Sequence, residues 1–139
     1  MDERRAADDV RVFVVDDQPN FLDVAQEVIG ATSGFQAVGF ARSGEAALDW
    51  LRARKADLVI IDVRMPGTDG VVAAREVATL EDSPVVVLCS SGDRPDIAED
   101  PQAHGADAFY CKERFGPGFL REIWATYGAS RHVRGPVPP

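Results

Sequence analysis

Five short apolar runs recur along this chain, each separated from the next by a longer stretch. They lie at 10–15, 37–41, 58–61, 85–89 and 108–111 and are rich in β-branched and aromatic residues. None shows the apolar/polar alternation of a strand with one wet face, so each reads as a strand covered on both sides, the pattern of a parallel sheet. The stretches between them carry helical spacing. Leu22, Ala25, Val28 and Ile29 share one face of 20–31, behind Pro19-Asn20 as a start signal. Ala47, Leu48 and Leu51 do so in 44–54, with Ser43 as a candidate N-cap, and Ala73, Val77 and Leu80 in 70–80. In 117–127, Phe119, Leu120, Ile123, Trp124 and Tyr127 recur at helical spacing and read as core. The stretch 93–104 is poor in apolar residues and interrupted by Pro95 and Pro101, so a helix there is short or irregular.

Strict β/α alternation with five strands predicts a doubly wound α/β fold with helices on both faces of the sheet. In such folds ligands bind at the carboxyl ends of the strands. The residues there are polar: Asp16 and Asp17 after the first run, Asp62 after the third, Ser90 after the fourth and Lys112 after the fifth. The chain then turns through Met65-Pro66-Gly67-Thr68-Asp69-Gly70. Three carboxylates beside a core repel one another and are costly to bury. A hard divalent cation would compensate them, with magnesium first and manganese in its place second. Lys112 can act as a fixed counter-charge for a phosphoryl group, and Ser90 as a hydroxyl donor to it. Taken singly, an Asp-Asp pair is often a solvated turn, a lysine a surface charge, and Ser90-Ser91-Gly92-Asp93 a loop. Their convergence on one sheet edge favours phosphate chemistry.

The bulk properties bound the function classes. A chain of 139 residues forms one domain with a real core, and 45% hydrophobic with 27% charged residues is ordinary for a globular protein. The net charge of −8 argues against direct nucleic-acid binding. No apolar run approaches the ~20 residues of a membrane span, and Met1-Asp2-Glu3-Arg4-Arg5 opens no signal peptide, so a cytoplasmic location is expected. Cys89 and Cys111 read as a pair of small buried thiols rather than a disulfide or metal site. Residues 1–9 read as a flexible N-terminus, 10–127 as the domain, and 128–139 as a flexible tail ending in Gly135-Pro136-Val137-Pro138-Pro139.

These motifs together resemble the receiver domain of bacterial two-component response regulators, of the chemotaxis type. The resemblance rests on Val14-Val15-Asp16-Asp17, Asp62 with Met65-Pro66-Gly67-Thr68-Asp69-Gly70, Ser90, and Gly105-Ala106-Asp107 leading to Lys112. It implies a flavodoxin-like strand order of 2-1-3-4-5. It further implies that Asp62 accepts a phosphoryl group from a sensor histidine kinase or phosphotransfer protein. Asp17 would ligate Mg2+ (or Mn2+) directly, Asp16 mainly through water, and the backbone carbonyl of Arg64 would be a further ligand. Lys112 would pair with the phosphoryl group, Ser90 would move toward it, and Phe109 would change rotamer with the switch. The expected function is that of a stand-alone receiver whose output is contact with a downstream protein or a second copy of itself. It is expected to be a phosphoacceptor rather than an enzyme.

The chain departs from the family pattern in places. Glu113 follows Lys112 where the family usually has proline, often after a cis bond, so the fifth loop should be shaped differently. Gln18 stands where an acidic residue is common, and Arg64 sets a long cation beside the acceptor. Counting on from Pro84 puts Cys89 at the hydroxyl position, whereas counting back from Gly105 and Lys112 gives Ser90. A thiol is a poor donor to phosphate, which favours Ser90. Three other readings compete. A degenerate receiver would act without phosphorylation, but Asp17, Asp62 and Lys112 count against it. A magnesium-dependent aspartyl phosphatase wants an acid two residues after its nucleophile, where this chain has Arg64. A flavin binder wants a Gly/Ser/Thr-rich loop after the first strand, where this chain has Asp16-Asp17-Gln18-Pro19.

Overall fold

In the computed structural model, residues 9–65, 67 and 69–128 are described. The expected flexible ends lie outside these residues, except for Asp9 and Gly128; so do Pro66 and Thr68 of the turn after Asp62. The strands are β1 (Val10–Val15), β2 (Phe35–Ala41), β3 (Leu58–Asp62), β4 (Val85–Ser90) and β5 (Ala108–Cys111). They form one parallel sheet in the order β2-β1-β3-β4-β5, as the resemblance implied. The helices are α1 (Pro19–Ala31), α2 (Gly44–Ala53), α3 (Gly70–Ala78), the single-turn α4 (Pro95–Ala98) and α5 (Pro117–Ile123).

Each fully apolar strand feeds two cores, one per face. Val12, Val14, Leu58, Ile60, Val85, Val87 and Cys89 meet Ala25 and Ile29 of α1 and Phe119, Leu120 and Ile123 of α5. Phe13, Val15, Val59, Ile61, Val86 and Leu88 meet Leu48 and Leu51 of α2, Ala74 and Val77 of α3, and Ile97 of α4. A wholly buried large aliphatic or aromatic side chain contributes about 1.5–3 kcal/mol. Phe13, Ile29, Leu58, Ile60, Ile61, Leu88, Leu120 and Ile123 are all in that class. This apolar burial offsets the cost of holding buried carboxylates at one end of the sheet.

Three details differ from the sequence expectation. The strands at 37–41 and 108–111, at the two edges of the sheet, are not covered on both sides: most of their residues are half-buried. Cys111 is consequently half-buried, whereas Cys89 is fully inside, where burial pushes its thiol pKa up. The last helix gives way after Ile123 to a wider π-type turn, Trp124–Gly128. Gly128 closes onto the Trp124 ring so tightly that any side chain there would overlap it. The Pro101 break is present: α4 stops at Ala98 and a 3₁₀ turn, Pro101–His104, follows.

Candidate phosphoryl-transfer site

The parallel register brings the carboxyl ends of the strands level. Val15 lies beside both Ala41 and Ile61, Asp62 beside Cys89, and Ser90 beside Cys111. The loops leaving them shape an open cleft of about 560 Å³ lined by Asp17, Gln18, Asp62, Val63, Arg64, Met65, Asp69, Ser90, Ser91, Arg94 and Lys112. Local sequence explains its walls. Pro19 opens α1 one residue beyond the acidic pair, after Gln18, where its missing N–H costs nothing. Asp69 caps α3, its Oδ1 accepting from the Val71 N–H at 2.7 Å. Gly70 lies against the Asp62 carbonyl, where a methyl group would overlap that oxygen, and its N–H donates to Val63 O at 3.0 Å. Gly67, between them, takes a φ of +82°, a backbone region that suits glycine.

Asp62 is 6% exposed and Asp16 1% exposed. The carboxylates of Asp16, Asp17 and Asp62 each offer an oxygen, and these oxygens lie within 4.8 Å of one another. Burial, and next the charge of Asp16, push the Asp62 carboxyl up to about 6; Lys112 and the Arg64 backbone N–H act in the opposite direction. Lys112 Nζ sits 2.6 Å from Asp16 Oδ2 and 3.6 Å from Asp62 Oδ2, and the lysine side chain is 11% exposed. Asp16 Oδ1 accepts the Gln18 N–H at 2.9 Å. Its Oδ2 is buried with the Lys112 ion pair alongside but no hydrogen bond of good geometry. Three clustered oxygen donors, one of them buried without a hydrogen bond, fit a hard divalent cation.

The remaining expected residues are placed as follows. Cys89 faces the α1/α5 core, whereas Ser90, next along β4, lines the cleft and accepts the Gly92 N–H on Oγ at 3.2 Å. Alternation along the strand thus separates the two candidates that counting left one residue apart. Phe109 packs, half-buried, on the α2–α4 side of the sheet, opposite Leu88. Arg64 lines the cleft with its side chain exposed. No peptide bond among the described residues is cis, and after Lys112 the chain forms a 3₁₀ turn, Lys112–Arg114.

Sequence reasoning passed over two residues. Arg94 reaches the cleft while bound bidentately to Asp96, at 3.1 and 3.0 Å. Phe21, in the first turn of α1, sets its ring under Lys112, with Nζ 4.7 Å from the ring centroid. An arginine before a proline and an aromatic in an amphipathic helix are common features, so neither carries a signal in the sequence.

Comparison with known proteins agrees with this geometry. The chain is 36% identical over 104 residues to "Probable transcriptional regulatory protein NarL" of Mycobacterium tuberculosis, covering 75% of this chain and 48% of that protein. It is 33% identical over 115 residues to a protein-glutamate methylesterase/protein-glutamine glutaminase of Chromobacterium violaceum, covering 81% of this chain and 32% of that protein. The chain therefore spans about half the length, or less, of these curated relatives. Among solved structures, the signal receiver domain of NarL from Mycobacterium tuberculosis superposes with a TM-score of 0.75 at 31% identity, covering 91% of this chain and 99% of that one. A CheY-like receiver domain protein from Methanospirillum hungatei shares the fold, with a TM-score of 0.77 at 17% identity and coverage of 91% and 99%. The response regulator receiver domain family matches residues 12–122, a span that contains every residue of the cleft, and the chain belongs to that family.

Proposed function

We propose that this domain accepts a phosphoryl group on Asp62 from a sensor histidine kinase or phosphotransfer protein and thereby switches its contacts with a downstream protein. The observation that carries this reading is the position of Asp62: buried, raised to about 6, within reach of two further carboxylates, and 3.6 Å from the Lys112 ammonium.

A divalent cation held by Asp16, Asp17, Asp62 and the Arg64 carbonyl would neutralise charge as the anionic phosphoryl group arrives. The protein's own groups do the rest. The Asp62 carboxylate attacks phosphorus, a P–O bond forms, and the P–N bond to the donor imidazole breaks. Lys112 is close enough to exchange Asp16 for a phosphoryl oxygen, and the Ser90 hydroxyl can donate to another. Those two movements are local; Phe109, on the same face of the sheet as Ser90, would carry them toward α4 and β5. The single-turn α4 gives that output surface an unusual shape.

The test is incubation with a small phosphodonor in magnesium, read by intact mass. One added phosphoryl group is expected, and none when the metal is chelated. An unmodified protein under conditions that label a control receiver would sink the proposal.

A further inference from the structure

We infer that Phe21 is a positioning residue for Lys112, its ring holding the ammonium between Asp16 and Asp62, at the point from which it meets a phosphoryl group. The inference rests on Asp62 being the phosphoacceptor. The ammonium of Lys112 has three close neighbours: Asp16 Oδ2 at 2.6 Å, Asp62 Oδ2 at 3.6 Å, and the Phe21 ring at 4.7 Å. Nζ is paired with Asp16 and still lies 3.6 Å from Asp62, and the ring is the third group that limits where the ammonium can go. A ring face attracts a cation through its quadrupole without accepting a conventional hydrogen bond. It restrains the ammonium more weakly than a carboxylate does, so it can hold the lysine in place without preventing a move to phosphate.

The ring's own placement is over-determined. Phe21 donates its N–H to Gln18 O at 3.1 Å, so it is tied to the loop that carries Asp16 and Asp17. Its ring meets Phe115 edge-on, with centroids 5.4 Å apart at 64°. Phe115 leans on the buried Phe119 at 5.2 Å. Phe115 also closes the 3₁₀ turn that begins at Lys112, donating its N–H to Lys112 O at 2.9 Å. One turn therefore fixes both the lysine and the ring that supports its seat. This is the segment in which Glu113 replaces the family's usual proline.

The test compares Phe21→Leu, which keeps apolar bulk but removes the ring, with Phe21→Tyr and Phe21→Trp, which keep one. Phe21→Met replaces the leucine variant should that fail to fold. The first readout needs no phosphorylation: the Lys112 Cε protons should be shifted upfield by the ring current in the wild type and in the ring-keeping variants, and should return to ordinary values in Phe21→Leu. The second is the rate of adduct formation from a small phosphodonor in magnesium. Its limiting value should fall about fivefold in Phe21→Leu, and Tyr or Trp should restore it to within about twofold. A limiting rate unchanged in Phe21→Leu overturns the inference. If the wild type forms no adduct, the phosphoacceptor reading fails and the proton shift alone decides on Phe21. Lys112 protons that do not respond to loss of the ring overturn the inference in that case.

Discussion

β3 is flanked by two aspartates in opposite circumstances. Asp57, at its amino end, accepts the Arg11 N–H at 2.8 Å and the Arg11 guanidinium at 3.2 Å, and its side chain is 34% exposed. Asp62, at its carboxyl end, is buried, faces two more carboxylates, and has one lysine 3.6 Å away. The first is a clasp: its donors come from the neighbouring strand β1, and water screens the rest. The second lacks enough positive charge to match its surroundings. The same residue type, at the two ends of a five-residue strand, is structural where it is satisfied and chemically available where it is not.

That contrast can be broken most sharply by exchanging each carboxylate for an amide. Asp62→Asn should abolish the phosphoryl adduct, whereas Asp57→Asn should retain it; intact mass under phosphodonor and magnesium reads both. An adduct that survives in Asp62→Asn places the acceptor elsewhere.

Stability gives the next largest effect, of opposite sign for the two sites. Asp62 has an ordinary pKa of 3.8 and a folded value of about 6, so the folded state holds the proton more tightly than the unfolded one. Its contribution to stability is fully present below about pH 4, falls as pH rises through 6, and is absent above. Asp62→Asn should therefore stabilise the metal-free protein at pH 7, by about 2–3 kcal/mol from a shift of roughly two units. The gain should vanish near pH 4. Denaturant unfolding at the two pH values measures it, and a gain independent of pH would mean that packing, not charge, is responsible. The smallest effect belongs to Asp57→Asn, which loses a partly exposed ion pair and should cost less than about 1 kcal/mol in the same experiment. A larger loss would show that the Arg11 clasp does more for the sheet than its exposure implies.

The contrast between sites also marks what the sequence could reveal. The strands were legible because each carries a run dominated by apolar residues, and the acidic pair, Asp62 and Lys112 because each abuts such a run. β2 starts two residues earlier than its apolar run, since Phe35 and Gln36 enter an edge whose outer side needs no apolar alternation. That Ser90 lines the cleft while Cys89 faces the core follows from strand alternation once β4 has a fixed register, something spacing alone does not supply. Phe21 and Arg94 were illegible for a different reason. Their relevance comes from contacts made across the fold, with Lys112 lying 91 positions beyond Phe21 in the chain, and no local pattern encodes such a meeting.

Gly70 and Arg64 show how such a site can diversify. The carbonyl of Asp62 leaves no room for a side chain at 70, while Arg64, two places after Asp62, is exposed at the cleft rim. One position is fixed by backbone packing, and the other is free to vary at the mouth of the cleft. Residue 64 can therefore change without disturbing the packing that seats Asp62, which a side chain at 70 could not do.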